Sequence, residues 1–175
     1  MFVRVQSATT YGLEGAMIQV EVDVARHGFP RFNIVGLASK SVDEAKERVR
    51  TAIINSSYPM PETRITVNLA PADTPKNGSG LDLPIAIGIL SASGAINKDF
   101  INESLFVGEL SLTGEIKKVT GILSIVSTAK KHKYRNVFIP SVCLDEATLI
   151  TGINIFPVNN LNELVDHLNG NAQLQ

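Results

Sequence analysis

The stretch from Arg64 to Ser93 constrains the fold more than any other part of the chain. Residues 64–69, RITVNL, alternate as a strand does, and residues 83–93, LPIAIGILSAS, form a helix-like run. Because this second run is apolar on nearly every side, most of its surface must be covered. We therefore predict a strand, a loop rich in proline and glycine, and a helix that is buried in the core.

The chain before this stretch has the pattern of two strands and a helix. Residues 17–24, MIQVEVDV, alternate between apolar and polar side chains, which predicts a half-buried strand. Residues 26–30 are typical of a turn, and residues 31–37 are predicted to return as the second strand of an antiparallel pair. A capping box at residues 41–44, SVDE, predicts a helix that starts at Ser41 and ends near Ser57.

The chain after Ser93 alternates between strands and helices. Strands are predicted at residues 105–110, 112–119, 136–139 and 154–157, and helices at residues 122–132, from Ser141, and at residues 161–168. Such alternation favours right-handed crossovers and parallel strands. The predicted fold class is α+β, a mixed sheet with antiparallel N-terminal strands, an α/β-like C-terminal half and helices packed on it.

Length, charge and cysteine content limit the number of domains, the binding partners and the cellular location that we expect. At 175 residues the chain fits one domain, predicted over residues 1–170, and residues 171–175 are a polar tail or the start of a linker. A formal net charge of −1 gives no overall attraction to nucleic acid or membranes, so any such binding must be local. The single cysteine, the lack of a signal-like start and the interrupted apolar run at residues 81–96 predict a cytoplasmic protein.

The loop between the strand and the buried helix could bind phosphate, carry a nucleophile or simply turn the chain. A P-loop needs a Gly-Lys pair, and here Lys76 precedes the glycines. An anion could still bind at the helix N-terminus, although Asp82 would repel it, and the alternative is a structural turn capped by Asp82. Ser79 could act as a nucleophile only with a base within hydrogen-bond reach.

A basic cluster lies at the end of the helix predicted at residues 122–132. Cations at that end complement the helix dipole, which is a purely structural role. The functional alternative is contact with a nucleic-acid phosphate backbone, joined by Lys117 and Lys118 or Arg48 and Arg50 if the fold brings them close. The cluster consists of Lys130, Lys131, Lys133 and Arg135.

The histidines and the cysteine indicate no further chemistry. His27, His132 and His167 have no ligand spacing, so no metal site is predicted. Cys143 has no basic neighbour in sequence and is predicted to be a small buried residue.

Two segments resemble the proteolytic domain of Lon proteases. TPKNGSGLDLPIAIGILSASG is similar to Lon's Pro-Lys-Asp-Gly-Pro-Ser-Ala-Gly loop and the helix after it, and VGELSLTGEIKKVTGILSIVSTAKKHKYRNVFIP is similar to the segment with Lon's catalytic lysine. The resemblance puts Gly80 at the position of the serine and Leu123 at the position of the lysine. It therefore implies that the dyad is lost and that catalytic residues are absent. The degenerate loop comprises Pro75, Lys76, Asn77, Gly78, Ser79, Gly80 and Asp82.

A closer resemblance, to the N-terminal domain of the ComM (YifB) family of magnesium-chelatase-related proteins, covers nearly the whole chain. It is carried in order by FNIVGLASKSVDEAKERVRTAIINS, RITVNLAPADTPKNGSGLDLPIAIGILSASG and GELSLTGEIKKVTGIL. The resemblance implies a Lon-like domain joined, in family members, to a hexameric AAA+ ATPase that acts in DNA branch migration during natural transformation and recombination. ATP and Mg²⁺ would be needed only by the AAA+ part, because no Walker motif occurs in these 175 residues.

Three functions remain open on these grounds. The first, which we expect, is a non-catalytic domain that contacts DNA, a neighbouring subunit of a homo-hexamer, or the AAA+ domain of the same polypeptide. The second is a self-standing oligomerisation or interaction module. The third is a serine hydrolase that uses Ser79 in the Lon-like loop.

Overall fold

A seven-stranded mixed sheet runs through the molecule and carries helices on both faces. The computed structural model describes residues 1–37, 39–76 and 79–174. The described strands are β1 (Phe2–Tyr11), β2 (Glu14–Val24), β3 (Arg31–Val35), β4 (Arg64–Ala70), β5 (Ser104–Phe106), β6 (Glu109–Leu110), β7 (Ile116–Lys117), β8 (Asn136–Pro140) and β9 (Asn154–Val158). The described helices are α1 (Ser39–Asn55), α2 (Asp82–Ala92), α3 (Ile122–Lys131), α4 (Leu144–Ala147) and α5 (Leu161–Leu168).

The sheet changes character along its width. Its strand order is β3-β4-β2-β1-β5-β8-β9. β2 is antiparallel to both β1 and β4, while β3 is parallel to β4, and β1, β5, β8 and β9 are parallel to one another. β6 and β7 form a separate antiparallel hairpin. The predicted α+β class is therefore confirmed, with antiparallel strands from the N-terminal part and parallel strands from the C-terminal part.

The core is divided by the sheet into two layers. α1, α2 and α5 pack on one face, and α3 and α4 pack on the other. Every residue of α2 is buried, as the sequence predicted. At Gly88 a Cβ atom would lie 2.5 Å from Val22 Cγ2, so α2 approaches β2 where a larger side chain does not fit.

The predicted pairing of residues 17–24 with residues 31–37 is wrong. β4 lies between β2 and β3 and bonds to both. The physical reason is that alternation shows which face of a strand is buried but not which strand lies beside it. β3 is the shorter strand and has exposed residues at both ends, which suits an edge. The turn at residues 26–30 therefore leads to the edge of the sheet.

Three other boundaries differ from the prediction. α1 begins at Ser39, so Ser41 lies inside its first turn and cannot act as the cap. The strands at residues 105–110 and 112–119 are broken because the chain leaves the large sheet after Phe106 and enters the β6–β7 hairpin. The helix predicted from Ser141 is a 3-10 turn at Ser141–Cys143 followed by the single turn of α4.

β2 begins at Glu14, three residues before its predicted start. The other predicted elements agree with the structure to within two residues at either end, and α5 matches at both ends. In the described ranges, no helix combines the length and the apolar run that crossing a lipid bilayer would take.

Candidate functional site

The loop before α2 is joined to the segment that leads into the β6–β7 hairpin. Gly108 N–H donates to Gly80 O at 2.9 Å, and Leu83 N–H donates to Gly108 O at 3.0 Å. Asp82 N–H closes a tight turn on Ser79 O at 3.1 Å. These bonds place the end of the degenerate loop directly beside Glu109 and Leu110.

Asp82 is the polar centre of this junction. Its carboxylate accepts two hydrogen bonds from Arg48, from Nε to Oδ2 at 2.6 Å and from Nη2 to Oδ1 at 3.1 Å. Leu110 N–H donates to the same Oδ2 at 3.1 Å. The carboxylate therefore ties α1, α2 and the β6–β7 hairpin together. The prediction that Asp82 caps α2 is wrong, because Leu81 holds the N-cap position and Asp82 is turned toward Arg48.

Burial sets the protonation behaviour of this group. Asp82 is only 1% exposed, and loss of hydration raises the pKa of its carboxyl from 3.8 to about 6. Arg48 and the Leu110 N–H act in the opposite direction but do not cancel the effect of burial. The hydrogen bond to Asp82 raises the pKa of Arg48 in turn. At neutral pH the two groups form a buried ion pair.

A small cavity lies next to this ion pair. The Ser79 hydroxyl donates a hydrogen bond to Glu109 Oε2. Ser79, Glu109 and Lys118 line a cavity of about 170 Å³ together with Thr9 and Thr10. A carboxylate therefore accepts the hydrogen bond of the serine hydroxyl here. The sequence comparison with Lon, which concentrated on lysine, did not identify Glu109.

The two positions that correspond to the Lon dyad line different cavities. Gly80 is packed so closely that a Cβ atom would lie 3.2 Å from Val107 Cγ2 and 3.2 Å from Val119 Cγ1. Leu123 lines a different groove, next to Leu13. A side chain at position 80 would therefore be in tight contact with two valine methyl groups, and Leu123 does not line the cavity of Ser79.

In the rest of the degenerate loop, the lysine side chain forms its hydrogen bonds within the loop. Lys76 Nζ donates to Pro71 O at 2.7 Å and to Thr74 O at 2.9 Å, so its ammonium group closes its own loop. Pro75 is exposed. Asn77 and Gly78, which also belong to the predicted loop, lie outside the described residues.

The structure divides the predicted basic cluster. Lys130, Lys133 and Arg135 line one open groove of about 500 Å³ beside the start of β9. Lys131 lines the groove that contains Leu13 and Leu123 instead. Arg135 Nη1 also lies 3.4 Å from Glu103 Oε2, and both of these side chains are exposed. Three of the four predicted cations are thus brought together.

The four cations that were expected to join the basic cluster lie elsewhere in the molecule. Arg48 is held by Asp82, and Lys117 Nζ lies 2.6 Å from Glu115 Oε2. Lys118 lines the Ser79 cavity, and Arg50 lines a groove beside β3. None of the four lines the groove of Lys130.

Two features of the sequence could have revealed more of this site. Asp82 is a lone carboxylate at the start of an apolar helix, and a buried charge requires a partner, so a cation such as Arg48 was to be expected. Glu109 is the first residue of β6, just after the chain leaves the buried strand β5, a position at which a side chain can face a neighbouring loop. Cys143, as predicted, is buried at 2% exposure, with Sγ 3.8 Å from Val119 O.

The fold and the site define an α+β domain in which a strand-to-helix loop, fixed by a buried ion pair, meets a β-hairpin. The chain belongs to the ChlI family, since the family model described as subunit ChlI of Mg-chelatase matches residues 20–142.

Its relatives confirm the resemblance to ComM and YifB. The chain is 41% identical over 170 residues to competence protein ComM of Haemophilus influenzae, which is 97% of this chain and 33% of ComM. It is 39% identical over 171 residues to the uncharacterized protein YifB of Escherichia coli, which is 98% of this chain and 33% of YifB. The chain thus spans about a third of the length of these relatives.

A weaker similarity extends to Lon. The chain is 29% identical over 171 residues to Lon protease 2 of Bacillus subtilis, which is 88% of this chain and 30% of that protein. This agrees with the more distant of the two resemblances found in the sequence.

Proposed function

We propose that this chain is a non-proteolytic domain of a ComM-type protein and that it contacts DNA or neighbouring subunits for an AAA+ ATPase carried by the same polypeptide. In this proposal the full-length protein is a cytoplasmic homo-hexamer that acts in branch migration during natural transformation and recombination. The Haemophilus influenzae relative is named a competence protein, which supports this assignment.

The arrangement around Ser79 is the observation that supports the non-proteolytic part of this proposal. A Ser-Lys dyad requires that the base lie within hydrogen-bond reach of the nucleophile. Here Gly80 has no hydroxyl, Leu123 has no basic group and lines another groove, and Lys76 is bound to Pro71 O and Thr74 O. Lys118 lines the Ser79 cavity, but among the described residues the hydrogen bond of Ser79 goes to a carboxylate and not to this lysine. The hydroxyl of Ser79 is engaged by Glu109. These positions favour a loop that serves structure and contact.

The residues of the loop do not fit ATP and Mg²⁺. The ammonium group of Lys76 is occupied by carbonyl oxygens of its own loop. The carboxylate of Asp82 stands in the first turn of α2, where a phosphate would have to bind. We therefore assign nucleotide binding to the AAA+ part and derive no step through it here.

The groove of Lys130, Lys133 and Arg135 is the surface that we assign to DNA. It is open and carries three cations, and Glu103 is the carboxylate within 4 Å of one of them. Such a surface attracts phosphates without reading bases, and its binding weakens steeply as salt rises.

The test uses the full-length protein and a labelled branched DNA. The variant Lys130→Gln, Lys133→Gln, Arg135→Gln should lower the slope of log K against log salt by about 2 to 3, since each lost phosphate contact contributes about 0.9. A matched variant with three exposed cations elsewhere changed to glutamine, Arg26, Lys40 and Lys98, should keep the slope.

The same protein tests the non-proteolytic assignment. Ser79→Ala should branch-migrate DNA at the wild-type rate, and neither protein should cleave an unfolded substrate such as casein. An unchanged salt slope in the basic-groove variant would contradict the DNA contact. Peptidase activity that Ser79→Ala abolishes would contradict the non-proteolytic role.

A further inference from the structure

The two edges of the seven-stranded sheet are built differently. The sheet ends at β9 on one side and at β3 on the other. In a parallel pair, the backbone groups of alternate residues face the neighbouring strand and those between them face away. Asn154 N–H bonds inward to Arg135 O at 3.0 Å, so Ile155 and Pro157 are the outward-facing residues of β9. Because Pro157 has no N–H, this edge offers little to another strand.

The β3 edge keeps its hydrogen-bonding groups. Arg31 N–H bonds inward to Thr63 O at 3.4 Å, so by the same alternation Phe32 and Ile34 direct their N–H and C=O groups outward. Within residues 1–37, 39–76 and 79–174, no strand pairs with this side of β3. The side chains of Phe32 and Ile34 are buried, so the strand is anchored in the core. An anchored strand with a free edge is a template for another strand.

An apolar groove opens beside the start of β3. It has a volume of about 410 Å³, and Phe32, Ile54, Tyr58 and Met60 are among the residues that line it. Ile54 is 52% exposed, and Phe29, in the turn that leads into β3, is 92% exposed. Exposed apolar side chains that are grouped together indicate an interaction site, whereas single exposed apolar residues do not.

The charge around this edge is positive. Arg31, Arg50 and Arg64 are all exposed, and none of them forms an ion pair in the part of the chain that the structure describes. Among the described residues that line the groove, Glu62 is the one carboxylate. Complementary charge therefore favours a partner with carboxylates.

We infer that the β3 edge binds an extended segment of a partner protein in which apolar and acidic side chains alternate. The segment adds an eighth strand by hydrogen bonds to Phe32 and Ile34, which is a known mode of peptide recognition. Its apolar side chains enter the groove at Ile54, its carboxylates on the other face meet Arg31, and Arg50 at the groove adds to the positive charge that attracts the segment. A second copy of this chain would bring the same arginines to the shared edge, so like charges oppose it.

The test measures fluorescence anisotropy of a labelled peptide that alternates valine and glutamate, added to this chain. The peptide should bind, and N-methylation of its edge-facing backbone nitrogens should abolish binding, because the ladder bonds are lost. Arg31→Glu, and separately Arg50→Glu on α1, should each weaken binding by about tenfold. Lys98→Glu, which changes an exposed cation away from this edge, should bind as the wild type does.

Several outcomes would overturn this assignment. They are no binding of the valine–glutamate peptide, equal binding of its N-methylated form, or equal binding of a peptide with lysine in place of glutamate. Sedimentation provides the remaining check: a dimer that Arg31→Glu dissociates and that the peptide cannot compete with would assign the edge to a second copy instead. Thermal unfolding of the variants, expected to match the wild type because both arginines are exposed, excludes misfolding as the cause.

Discussion

The loop before α2 and the end of α3 both hold charged side chains, and they use them in opposite ways. At the loop, Arg48 and Asp82 are joined by two hydrogen bonds and Asp82 is removed from water. At the end of α3, Lys130 and Lys133 line an open groove in contact with solvent. A buried charge thus holds elements of the fold together, whereas an exposed charge is available to bind a partner.

Removal of the buried carboxylate should give the largest effect. Asp82→Ala leaves Arg48, whose side chain is 24% exposed, without its partner, and leaves the Leu110 N–H unpaired. We expect a loss of about 3 kcal/mol in the free energy of unfolding, the lower end for a broken buried pair because Arg48 can partly reach water. Urea denaturation at pH 7 measures this, and a loss as small as that of an exposed ion pair would contradict the role of Asp82.

The pH dependence of stability should give an effect of similar or smaller size. Because burial raises the pKa of Asp82 from 3.8 to about 6, the folded state holds a proton that the unfolded state releases between these values. The contribution of Asp82 to the free energy of unfolding therefore falls as pH rises from 4 to 6, by at most about 3 kcal/mol, and is constant above that.

Asp82→Asn isolates this contribution from the other carboxylates. The asparagine keeps an acceptor for the Leu110 N–H but does not titrate, so the wild type should lose stability relative to the variant between pH 4 and pH 6. A difference of the opposite sign would mean that Arg48 and Leu110 outweigh burial and that the pKa of Asp82 lies below 3.8.

The basic groove should give the smallest effect on stability. The variant Lys130→Gln, Lys133→Gln, Arg135→Gln should change the free energy of unfolding by no more than about 0.5 kcal/mol, because these side chains are exposed. Thermal or urea unfolding measures this. A loss of several kcal/mol would make the groove a structural feature like the Asp82 junction, and the comparison between the two regions would fail.

The sequence predicted the type and position of the helices and strands better than it predicted which strands lie side by side. α5 and the buried helix α2 were identified because their patterns are local and strong. The order of β2, β4 and β3 was missed because alternation shows which face of a strand is buried but not which strand lies beside it. The start of α1 was misplaced because the sequence pattern of a capping box, here residues 41–44, can also occur inside the first turn, where it does not cap the helix.

The site was predicted in part for the same reason. Comparison with Lon placed Gly80 and Leu123 at the positions of the dyad. A short alignment can do this because each residue lies within a continuous segment that resembles Lon. The contact of Asp82 with Arg48 spans 34 residues, and that of Ser79 with Glu109 spans 30. Such contacts are created by packing α1 and the hairpin against the loop, and one sequence carries no direct record of them.

The position of β1 has a consequence for the order in which the molecule can assemble. β1 pairs with β2, which follows it immediately, and also with β5, whose residues lie about a hundred positions further along; the Ser7 hydroxyl bonds across that distance to Phe106 O at 2.6 Å. Contacts that are near in sequence close faster than distant ones. During synthesis both strands of the β1–β2 hairpin are therefore available long before β5 emerges, and the second edge of β1 is paired only after the distant half of the sheet has been made.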